Sequence, residues 1–513
     1  MAQQRARQSG IGTLVRGNAR IYAMRPALIE DDTELTWADL ERRTNRLART
    51  LRSQGIGKGD RVALLLNDGI QFIELLIATG KAGAIAVLLN WRLAPEEIAW
   101  ILADSAPTAI YRADRFAGLL AGAPDIADHV VADDPLAAAT YQRWACEGTD
   151  APLADEGCGD DPLFMMFTSG TTGRPKGCLH SHNSTLASAQ GFAGRRGFGR
   201  DDRNLSTNPL FHVAGLGHVF SAMVVGGANV FVSRDAPDIA PFEIAVRHGC
   251  TIATLSLPLM KACRLAGDDA GRLLRFRSLT GGAGMGDPRS FAFVAEQWGA
   301  QFVGGWGQTE AWGFATQIDW PDMLEHPRAI GWPIPVIEAC VLDDKGHPHG
   351  DSDAEGELGI RGPNVMLGYW NNPEATEAAL GTGWLRTGDI VVGDGPGLFT
   401  MKGRVKELIK SGGENVYPVE VETVIRELPG VADAAVAGVS DRKWGEVVKA
   451  FIVLEEGACV TAEDITLACR ARIAGYKRPR YIEFIDAIPK DHAGKIRRMH
   501  LSARPVTEDQ AAH

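Results

Sequence analysis

The sequence predicts an α/β protein with a large N-terminal domain built on mainly parallel sheets and a smaller α+β C-terminal domain. Short apolar runs such as Val62–Leu66 alternate with helix-like segments, a pattern typical of parallel strands covered by helices. The length of 513 residues exceeds that of one ordinary domain. A charged, glycine-containing segment, Lys402–Glu422, precedes two strand-like runs, Val431–Val439 and Val447–Leu454, and therefore predicts a domain boundary.

The N-terminal elements follow one another with clear start and stop signals. A helix is predicted over Thr36–Gln54, because Thr36 is a good N-cap and a glycine follows the last residue. A second helix is predicted over Ile70–Thr79 and a strand over Ile85–Leu89. Proline and acidic residues open a further helix at Pro95–Asp104. Residues 121–161, rich in Ala, Asp, Gly and Pro, are predicted to form a surface connection.

Composition excludes several classes of protein. A formal charge of -11 argues against a nucleic-acid binder, which would carry a basic face. The eight cysteines form no C-x-x-C pair, so neither a zinc site nor a disulfide framework is predicted, and a reducing, cytoplasmic location is favoured. No apolar run reaches the roughly 18–20 residues of a membrane span, and no signal peptide is predicted. Peripheral membrane contact stays open.

One stretch, Phe164–Gly177, has the composition of a phosphate site. It reads FMMFTSGTTGRPKG: the end of a strand, then glycines and hydroxyl residues, then Lys176. Glycines let the backbone approach a ligand, successive N–H groups bind anions, and lysine adds a positive charge. The spacing differs from the nucleotide loop G-x-x-x-x-G-K-[ST]. A plain turn between two strands is the alternative.

Five later segments carry candidate chemistry, although each has an ordinary structural explanation when taken alone. A histidine in STNPLFHVAG suits a core position, LTGGAGM a simple turn, and the T-E pair of GGWGQTEAWG a helix start. The aspartate of WLRTGD suits a turn and the second lysine of IPKDHAGKIRR a solvated loop. These segments are, in the same sequence, Ser206–Gly215, Leu279–Met285, Gly304–Gly313, Trp384–Asp389 and Ile488–Arg498.

Together, and in this order, the segments resemble the adenylate-forming superfamily, which includes acyl-CoA synthetases, adenylation domains and beetle luciferases. The resemblance implies that a carboxylic acid reacts with ATP to give acyl-AMP and pyrophosphate, and that a thiol then displaces AMP. It implies ATP, Mg²⁺ and coenzyme A as cofactors and a small-molecule carboxylic acid as substrate. It also implies a mobile C-terminal domain, with residues 1–402 as the N-terminal domain, 403–407 as the hinge and 408–513 as the lid that carries the catalytic lysine. Homodimers are frequent in the family, and the sequence leaves the oligomeric state open.

The resemblance assigns roles residue by residue. The implied ATP and AMP contacts are Thr168, Ser169, Gly170, Thr171, Thr172, Gly173, Lys176, Gly281, Gly282, Ala283, Trp306 (where the family usually has Tyr), Gly307, Gln308, Thr309, Asp389, Arg404 and Lys495. The implied catalytic residues are Lys495, Thr309, Glu310 and His212, with Glu310 as the Mg²⁺ ligand. The implied acyl pocket contains His212, Gly281, Trp312 and Gly313, the coenzyme A surface contains Ser411, Gly412, Gly413, Trp444 and Arg478, and the hinge residue is Lys406.

Several alternatives remain open at this stage. An acyl-CoA synthetase is favoured over an enzyme that loads a carrier protein, a luciferase-like oxygenase or a non-catalytic regulatory relative. Trp312 would favour a medium, branched or aromatic acid if it points into the pocket, and would otherwise pack in the core. Another segment, Gly356–Trp370, resembles a family motif with a structural role. Two histidine pairs (His180 and His182, His347 and His349) lack ligand partners at metal spacing, so solvent-exposed loops are predicted for them.

Overall fold

The computed structural model describes residues 9–154, 156–168, 174–267, 269–282, 294, 297–350, 353–411, 414–441, 445–490 and 496–507. The chain divides into two compact units. The first contains residues 1–340, 359–387 and 395–399, and the second contains residues 341–358, 388–394 and 400–513. The boundaries of the functional domains and the hinge at 403–407 stay a prediction.

The strands are short and mostly buried. In chain order they are β1 (Pro26–Glu30), β2 (Thr33–Thr36), β3 (Arg61–Leu65), β4 (Ile85–Leu88), β5 (Ala109–Ala113), β6 (Ala127–Ala132), β7 (Pro162–Thr168), β8 (Lys176–Ser181), β9 (Arg203–Ser206), β10 (Ala228–Phe231), β11 (Ile252–Thr254), β12 (Ser278–Gly282), β13 (Gln301–Gln308), β14 (Gly313–Asp319), β15 (Ala329–Pro333), β16 (Glu338–Leu342), β17 (Pro348–Gly350), β18 (Glu355–Arg361), β19 (Gly368–Tyr369), β20 (Leu385–Gly393), β21 (Phe399–Arg404), β22 (Ile409–Ser411), β23 (Glu414–Val416), β24 (Val431–Asp441), β25 (Gly445–Leu454) and β26 (Tyr481–Phe484).

The helices alternate with these strands. They are α1 (Ile11–Ile21), α2 (Trp37–Ser53), α3 (Ile70–Lys81), α4 (Pro95–Ser105), α5 (Pro135–Cys146), α6 (His182–Arg196), α7 (Val213–Met223), α8 (Ala240–His248), α9 (Leu257–Ala266), α10 (Trp320–Glu325), α11 (Pro373–Leu380), α12 (Pro418–Arg426), α13 (Ala462–Arg472) and α14 (Arg498–Ser502). Short 3₁₀ turns cover Asp114–Leu120, Ala270–Leu273, Thr309–Ala311, Val405–Glu407 and Gly475–Lys477. Among the described residues, no helix is both long and apolar enough to cross a membrane.

The first unit contains two sheets in which parallel pairs predominate. One has the order β19-β8-β7-β4-β3-β5-β6, and the pairs from β7 to β6 are parallel. The other contains the run β15-β14-β13-β12-β11-β9-β10-β1-β2, in which the pairs from β13 to β1 are parallel. Because parallel strands are covered on both faces, β4 is apolar throughout and β3 is apolar and buried from Val62 to Leu65. The predicted α/β class with mainly parallel sheets is confirmed.

The second unit is built around an antiparallel ribbon. Strands β24 and β25 pair from Val431↔Leu454 to Asp441↔Gly445, and β26 adds to β25 in parallel. Helices α12 and α13 supply Val421, Ile425 and Ile465 to the core of this unit. The predicted smaller α+β domain is confirmed.

The predicted helix starts agree with the structure because capping residues mark them. The Thr36 side chain accepts a hydrogen bond from the backbone N–H of Asp39, whose carboxylate accepts from the Thr36 N–H. Helix α3 runs to Lys81, slightly beyond the predicted end, and helix α4 begins at Pro95. Each of these helices has a buried face against the sheets.

The predicted surface connection over residues 121–161 is wrong in its central part. Strand β6 and helix α5 occupy this segment. The Asp134 carboxylate accepts from the backbone N–H of Ala137 at 2.7 Å and caps α5. Tyr141 is fully buried and donates its hydroxyl to Glu74 Oε2 at 2.8 Å. The Asp-Pro start of α5 was a usable helix signal, but the Ala-rich composition concealed it.

Candidate active site

The hairpin β7–β8 holds the two ends of the glycine-rich stretch together in the first unit. Thr168, at the end of β7, pairs with Lys176, at the start of β8. The Thr168 hydroxyl lies 3.4 Å from the Lys176 carbonyl oxygen, to which it donates. The predicted phosphate contacts Ser169, Gly170, Thr171, Thr172 and Gly173 lie outside the described residues.

A polar network joins this hairpin to the T-E motif. The Lys176 ammonium lies 5.0 Å from the centre of the Tyr369 ring, a cation–π distance. The Tyr369 hydroxyl donates to Glu310 Oε1 at 2.8 Å. Burial, and then the neighbouring Glu310 carboxylate, raise the pKa of Tyr369, so this hydroxyl keeps its proton. The network therefore presents a cation and an oriented carboxylate in one place.

The backbone of the T-E motif is fixed from two sides. His180 Nε2 donates to the Thr309 carbonyl at 2.7 Å, and Asn364 Nδ2 donates to the Ala311 carbonyl at 2.8 Å. The backbone N–H of Met366 donates to the Glu310 carbonyl at 2.9 Å. The segment predicted to be structural, Gly356–Trp370, therefore binds both the main-chain carbonyl and the side-chain carboxylate of Glu310.

The exposed-loop prediction for His180 and His182 is wrong. Both imidazoles are buried, at the end of β8 and the start of α6, and burial lowers the pKa of each to about 4. The pair His347 and His349 is exposed. The described residues contain no group of three or more His, Cys, Asp or Glu side chains that could hold a metal ion. Sequence spacing could not distinguish a buried, hydrogen-bonded histidine from a histidine in an exposed loop.

Glycines allow close backbone packing next to Trp306. Gly307 pairs with Phe314 across the hairpin β13–β14, and a Cβ at Gly307 would lie only 1.6 Å from the Gly313 carbonyl oxygen. Gly281 pairs with Gly304 across the parallel pair β12–β13. Gln308 Nε2 is buried without a hydrogen-bond partner among the described residues. The predicted contact Ala283 lies outside the described residues.

A narrow pocket opens beside Gly313, between helices α6 and α7 and strand β14. Its walls are both apolar and polar: Ser188, Ala189, Phe192, Val213, Gly217, His218, Ser221, Trp312, Gly313 and Phe314. Trp312 is 1% exposed and packs on Phe164 with ring centroids 4.6 Å apart, so it belongs to the core and also lines this pocket. His212 is exposed and caps α7 by accepting from the Ala214 backbone N–H at 3.2 Å.

In the second unit, the structure brings together two residues that the resemblance assigns to the ribose. Asp389 lies in β20 and is buried, and Arg404 Nε lies 2.9 Å from Asp389 Oδ1. Gly388 has a φ of 74°, a conformation that favours glycine, and its N–H donates to Glu357 Oε1 at 2.8 Å. The TGD sequence therefore places the carboxylate within a strand rather than in the ordinary turn.

The predicted coenzyme A residues are only partly described. Ser411 pairs with Gly445, which follows Trp444 in the chain. Arg478 donates from Nε to the Ile473 carbonyl at 3.3 Å, next to the end of α13. Gly412, Gly413 and Trp444 lie outside the described residues. The hinge candidate Lys406 is exposed in the turn Val405–Glu407.

The flanks of the predicted catalytic lysine are well anchored, although Lys495 itself lies outside the described residues. Lys490 and Ile496 form an antiparallel bridge, and the N–H of Arg497 donates to the Pro489 carbonyl at 2.8 Å. Arg498 donates from Nε to Glu407 Oε2 at 2.8 Å and also pairs with Glu422. These contacts hold the described residues on the two sides of Lys495 close to each other.

Sequence reasoning missed Tyr369, Asn364 and His180 as supports of the site. Tyr369 and Asn364 are more than fifty residues from the motif that they contact, at separations of 59 and 53 residues. The segment Gly356–Trp370 was recognised as a motif, so a polar residue within it was the available signal for Tyr369. His180 offered no such signal.

Comparison with known proteins identifies the family. Residues 15–370 match the family model of AMP-binding enzymes, and residues 420–495 match the model of their C-terminal domain. The chain belongs to the AMP-binding enzyme family. The predicted membership of the adenylate-forming superfamily is thereby confirmed.

Several relatives resemble this AMP-binding enzyme over nearly its whole length. A long-chain-fatty-acid–CoA ligase of Mycobacterium tuberculosis is 35% identical over 95% of this chain and 96% of the relative. A feruloyl-CoA synthase of Amycolatopsis is 36% identical over 96% and 98%. The structure of O-succinylbenzoate coenzyme A synthetase from Bacillus subtilis with ATP and magnesium ion is 28% identical, with a TM-score of 0.83 over 96% of this chain and 99% of that one.

This AMP-binding enzyme is an AMP-forming acid–thiol ligase, an ATP-dependent acyl-CoA synthetase that uses Mg²⁺ and coenzyme A and acts on small-molecule acids. The predicted enzyme class and cofactors are confirmed. The T-E motif fits Mg²⁺, because the Glu310 carboxylate is a hard oxygen ligand and Mg²⁺ typically binds one or two carboxylates together with phosphate oxygens.

Proposed function

We propose that the first unit activates the carboxylate at the polar network formed by Lys176, Tyr369 and Glu310. The observation that carries this proposal is the pair of contacts through Tyr369, which place a cation and an oriented carboxylate beside the Thr309 backbone. Bound Mg²⁺ would supply positive charge to the phosphate oxygens. Lys176 would bind the same anionic groups, and Thr309 would donate its hydroxyl to the α-phosphate.

The chemistry consists of two displacements. An oxygen of the carboxylate attacks the α-phosphorus of ATP, and the bond to the leaving pyrophosphate breaks. The thiol sulfur of coenzyme A then attacks the acyl carbon, AMP leaves and the thiol proton is lost. Because two anions meet in the first displacement, neutralising and positioning charge is the main task of the protein. Lys495 is the predicted positive charge for this step.

We propose that the acid occupies the pocket beside Gly313. The pocket begins next to the 3₁₀ turn Thr309–Ala311 and continues between α6 and α7. Val213 and Gly217 lie one helical turn apart on α7, so they share the face that lines the pocket. The Trp312 ring occupies space at the side of the pocket and leaves no room for a long, straight acyl chain. A compact acid, with an aromatic or branched acyl part, suits these walls.

In the second unit we propose that Asp389 and Arg404 act on the ribose as a pair. The Arg404 guanidinium already holds one oxygen of the buried Asp389 carboxylate at 2.9 Å. The arginine would hold that carboxylate in an orientation in which it can accept hydrogen bonds from hydroxyl groups. Ser411, Arg478 and the undescribed Gly412, Gly413 and Trp444 stay the proposed coenzyme A contacts, and Lys406 the proposed hinge.

The test is pyrophosphate release from MgATP over a panel of fatty and aromatic acids, with and without coenzyme A. We expect release that increases with coenzyme A and is matched by AMP and an acyl-CoA product. Release that ignores coenzyme A would instead favour an enzyme that loads a carrier protein. No release with any acid would contradict the proposed activity of this site.

A cytoplasmic location is also proposed, because all eight cysteines are free thiols, as a reducing compartment maintains them. Fractionation of the producing cell would test the location and any peripheral membrane contact. Light scattering of the purified chain would test the homodimer that is frequent in the family.

A further inference from the structure

His218 is a buried polar group that the structure leaves unsatisfied. It lies in α7, is 4% exposed, and lines the pocket beside Gly313. Neither Nδ1 nor Nε2 has a hydrogen-bond partner in the part of the chain that the structure describes. Buried polar atoms are nearly always hydrogen-bonded, so two open ring nitrogens in a ligand pocket require an explanation.

The surroundings of His218 are mainly aromatic. Its ring contacts Phe192 at 5.1 Å and also Phe198 and Phe314, each at 6.4 Å between centroids. Burial, and then the nearby charge of Arg196, lower the pKa of His218 to about 3. The imidazole is therefore neutral near pH 7 and has one N–H donor and one nitrogen acceptor.

A second unsatisfied donor lines the same pocket. Trp312 Nε1 is buried and lacks a partner among the described residues. Ser188 and Ser221 also line the pocket, but their hydroxyls donate to the carbonyls of Trp312 and Gly217 at 2.8 and 2.7 Å. Among the lining residues that the structure describes, the open side-chain donors and acceptor are therefore those of His218 and Trp312.

The pocket is small, about 10 Å³, which is room for one small group such as a hydroxyl along the same wall. A Cβ at Gly217 would meet nothing within 4 Å, and a Cβ at Gly313 would meet only the Val213 carbonyl oxygen at 3.8 Å. Phe192 and Phe314 stack on each other with ring centroids 5.4 Å apart and give the pocket an aromatic wall, and Trp312 restricts its length.

We infer that His218 determines substrate specificity by hydrogen bonding to a polar substituent on the distal part of the acid, so that the substrate is an aromatic acid carrying a hydroxyl or a comparable group. The inference rests on the proposed acyl pocket and deepens it. A site built to bond a hydroxyl discriminates strongly against an analogue that lacks it, because the buried protein group then stays unpaired.

The experiment compares three acids that differ only in the substituent at position 4 of the ring: 4-hydroxycinnamate, 4-methylcinnamate and cinnamate. The methyl group has nearly the size of the hydroxyl but cannot hydrogen bond. For the wild-type enzyme with MgATP and coenzyme A, we expect kcat/KM for the hydroxylated acid to exceed that of both analogues by roughly tenfold or more. Calorimetric binding of the same acids without ATP gives a second readout and should show the same order.

Variants locate the effect. His218→Phe should remove the preference in both readouts while the apolar acids still react, and His218→Asn, which can hydrogen bond, should retain part of it. His248→Phe, a change at the end of α8 outside the pocket, should leave the preference unchanged. Thermal unfolding shows whether His218→Phe is folded. If it is not, the preference of His218→Asn and of the wild type among the three acids tests the inference.

The outcomes separate the inference from the proposed function. Equal turnover and equal binding of the three acids by the wild type, or a preference that survives in His218→Phe, would overturn the inference while leaving the ligase activity intact. Absence of pyrophosphate release with every acid would reject the proposed function, and the binding order would then still test His218.

Discussion

At the scale of single residues, the first displacement depends on positive charge next to two anions, and Lys495 is the predicted donor of that charge. We expect Lys495→Ala to slow formation of acyl-AMP by about 10²–10³-fold, since removing one donor to a developing charge costs roughly 3–4 kcal/mol. Thioester formation from supplied acyl-AMP should be nearly unchanged. The two half-reactions are measured separately by pyrophosphate release and by acyl-CoA formation.

Lys345→Ala is the matched control, because Lys345 is an exposed lysine at a turn between β16 and β17. It should leave both half-reactions at their original rates. Equal loss of the two half-reactions in Lys495→Ala would contradict the role assigned to this lysine.

Tyr369 offers a test of the site that does not remove a predicted ligand. Tyr369→Phe keeps the ring that Lys176 contacts and deletes only the hydroxyl that orients Glu310. We expect the Mg²⁺ concentration for half-maximal activity to rise by roughly tenfold, the typical effect of losing a partner of a metal ligand. Titration of Mg²⁺ at fixed ATP measures this, with Tyr481→Phe in β26 as control. An unchanged Mg²⁺ requirement would exclude Glu310 as the ligand that Tyr369 positions.

At the scale of elements, the hairpin β13–β14 requires glycine at position 307, where the two backbones approach closely. Gly307→Ala would place a methyl group 1.6 Å from the Gly313 carbonyl oxygen, so the strands must separate. We expect a loss of at least about 2 kcal/mol in the free energy of unfolding, together with weaker nucleotide binding. Chemical denaturation and a nucleotide-binding titration are the measurements.

A second glycine should respond with the opposite sign. Gly194 lies in helix α6, is exposed, and a Cβ there would meet nothing within 4 Å. Gly194→Ala should therefore stabilise the chain by roughly 0.5–1 kcal/mol through helix propensity. A gain at Gly194 with no loss at Gly307 would show that the close approach in the hairpin does not constrain the native fold.

Elements were predictable from the sequence where local chemistry marks their ends. Thr36 with Asp39 and the proline at the start of α4 are such marks, and both helices form. Strands that are buried on both faces were equally visible as apolar runs. Helix α5 was missed because its alanine-rich surface has little periodic contrast, and its burial depends on Tyr141 reaching Glu74, 67 residues earlier.

The candidate site also has a part that could be predicted from the sequence and a part that could not. Its motifs could be recognised because glycine, hydroxyl and charged residues occur at fixed spacing along the chain. The contacts that complete it could not be recognised, because they join residues that are distant in sequence, such as Tyr369 with Glu310 and Arg404 with Asp389. The open imidazole of His218 is a property of packing and has no sequence pattern.

At the scale of the whole molecule, buried histidines predict loss of stability in mild acid. His180, His182 and His218 have pKa values of about 4, 4 and 3 in the folded chain because burial disfavours their charged form, against about 6.5 when unfolded. Between these values the unfolded chain binds protons that the folded chain does not. The stability is therefore present above pH 6.5 and falls as the pH decreases towards 4.

Two half-buried carboxyl groups oppose this trend. Burial raises the pKa of Asp68 to about 6 and also raises that of Glu30, so the folded chain binds their protons more readily. The lowered pKa values of the three histidines act over the whole interval from about 6.5 down to about 4, so we still expect the free energy of unfolding to fall as the pH decreases. Urea midpoints between pH 7 and pH 4.5 measure it. His182→Asn should flatten the slope, whereas exposed His347→Ala should not, and a flat wild-type profile would contradict the prediction.

The distribution of thiols has a practical consequence for spectroscopy. Of the eight cysteines, Cys146 and Cys459 are exposed, and they belong to different compact units, while Cys178, Cys250, Cys263, Cys340 and Cys469 are buried and Cys158 is half-buried. A maleimide dye pair should attach mainly to Cys146 and Cys459, so the distance between the two dyes can be measured without introducing a cysteine. Single-molecule energy transfer between these dyes would report, turnover by turnover, whether the units change their separation as acid, ATP and coenzyme A are added.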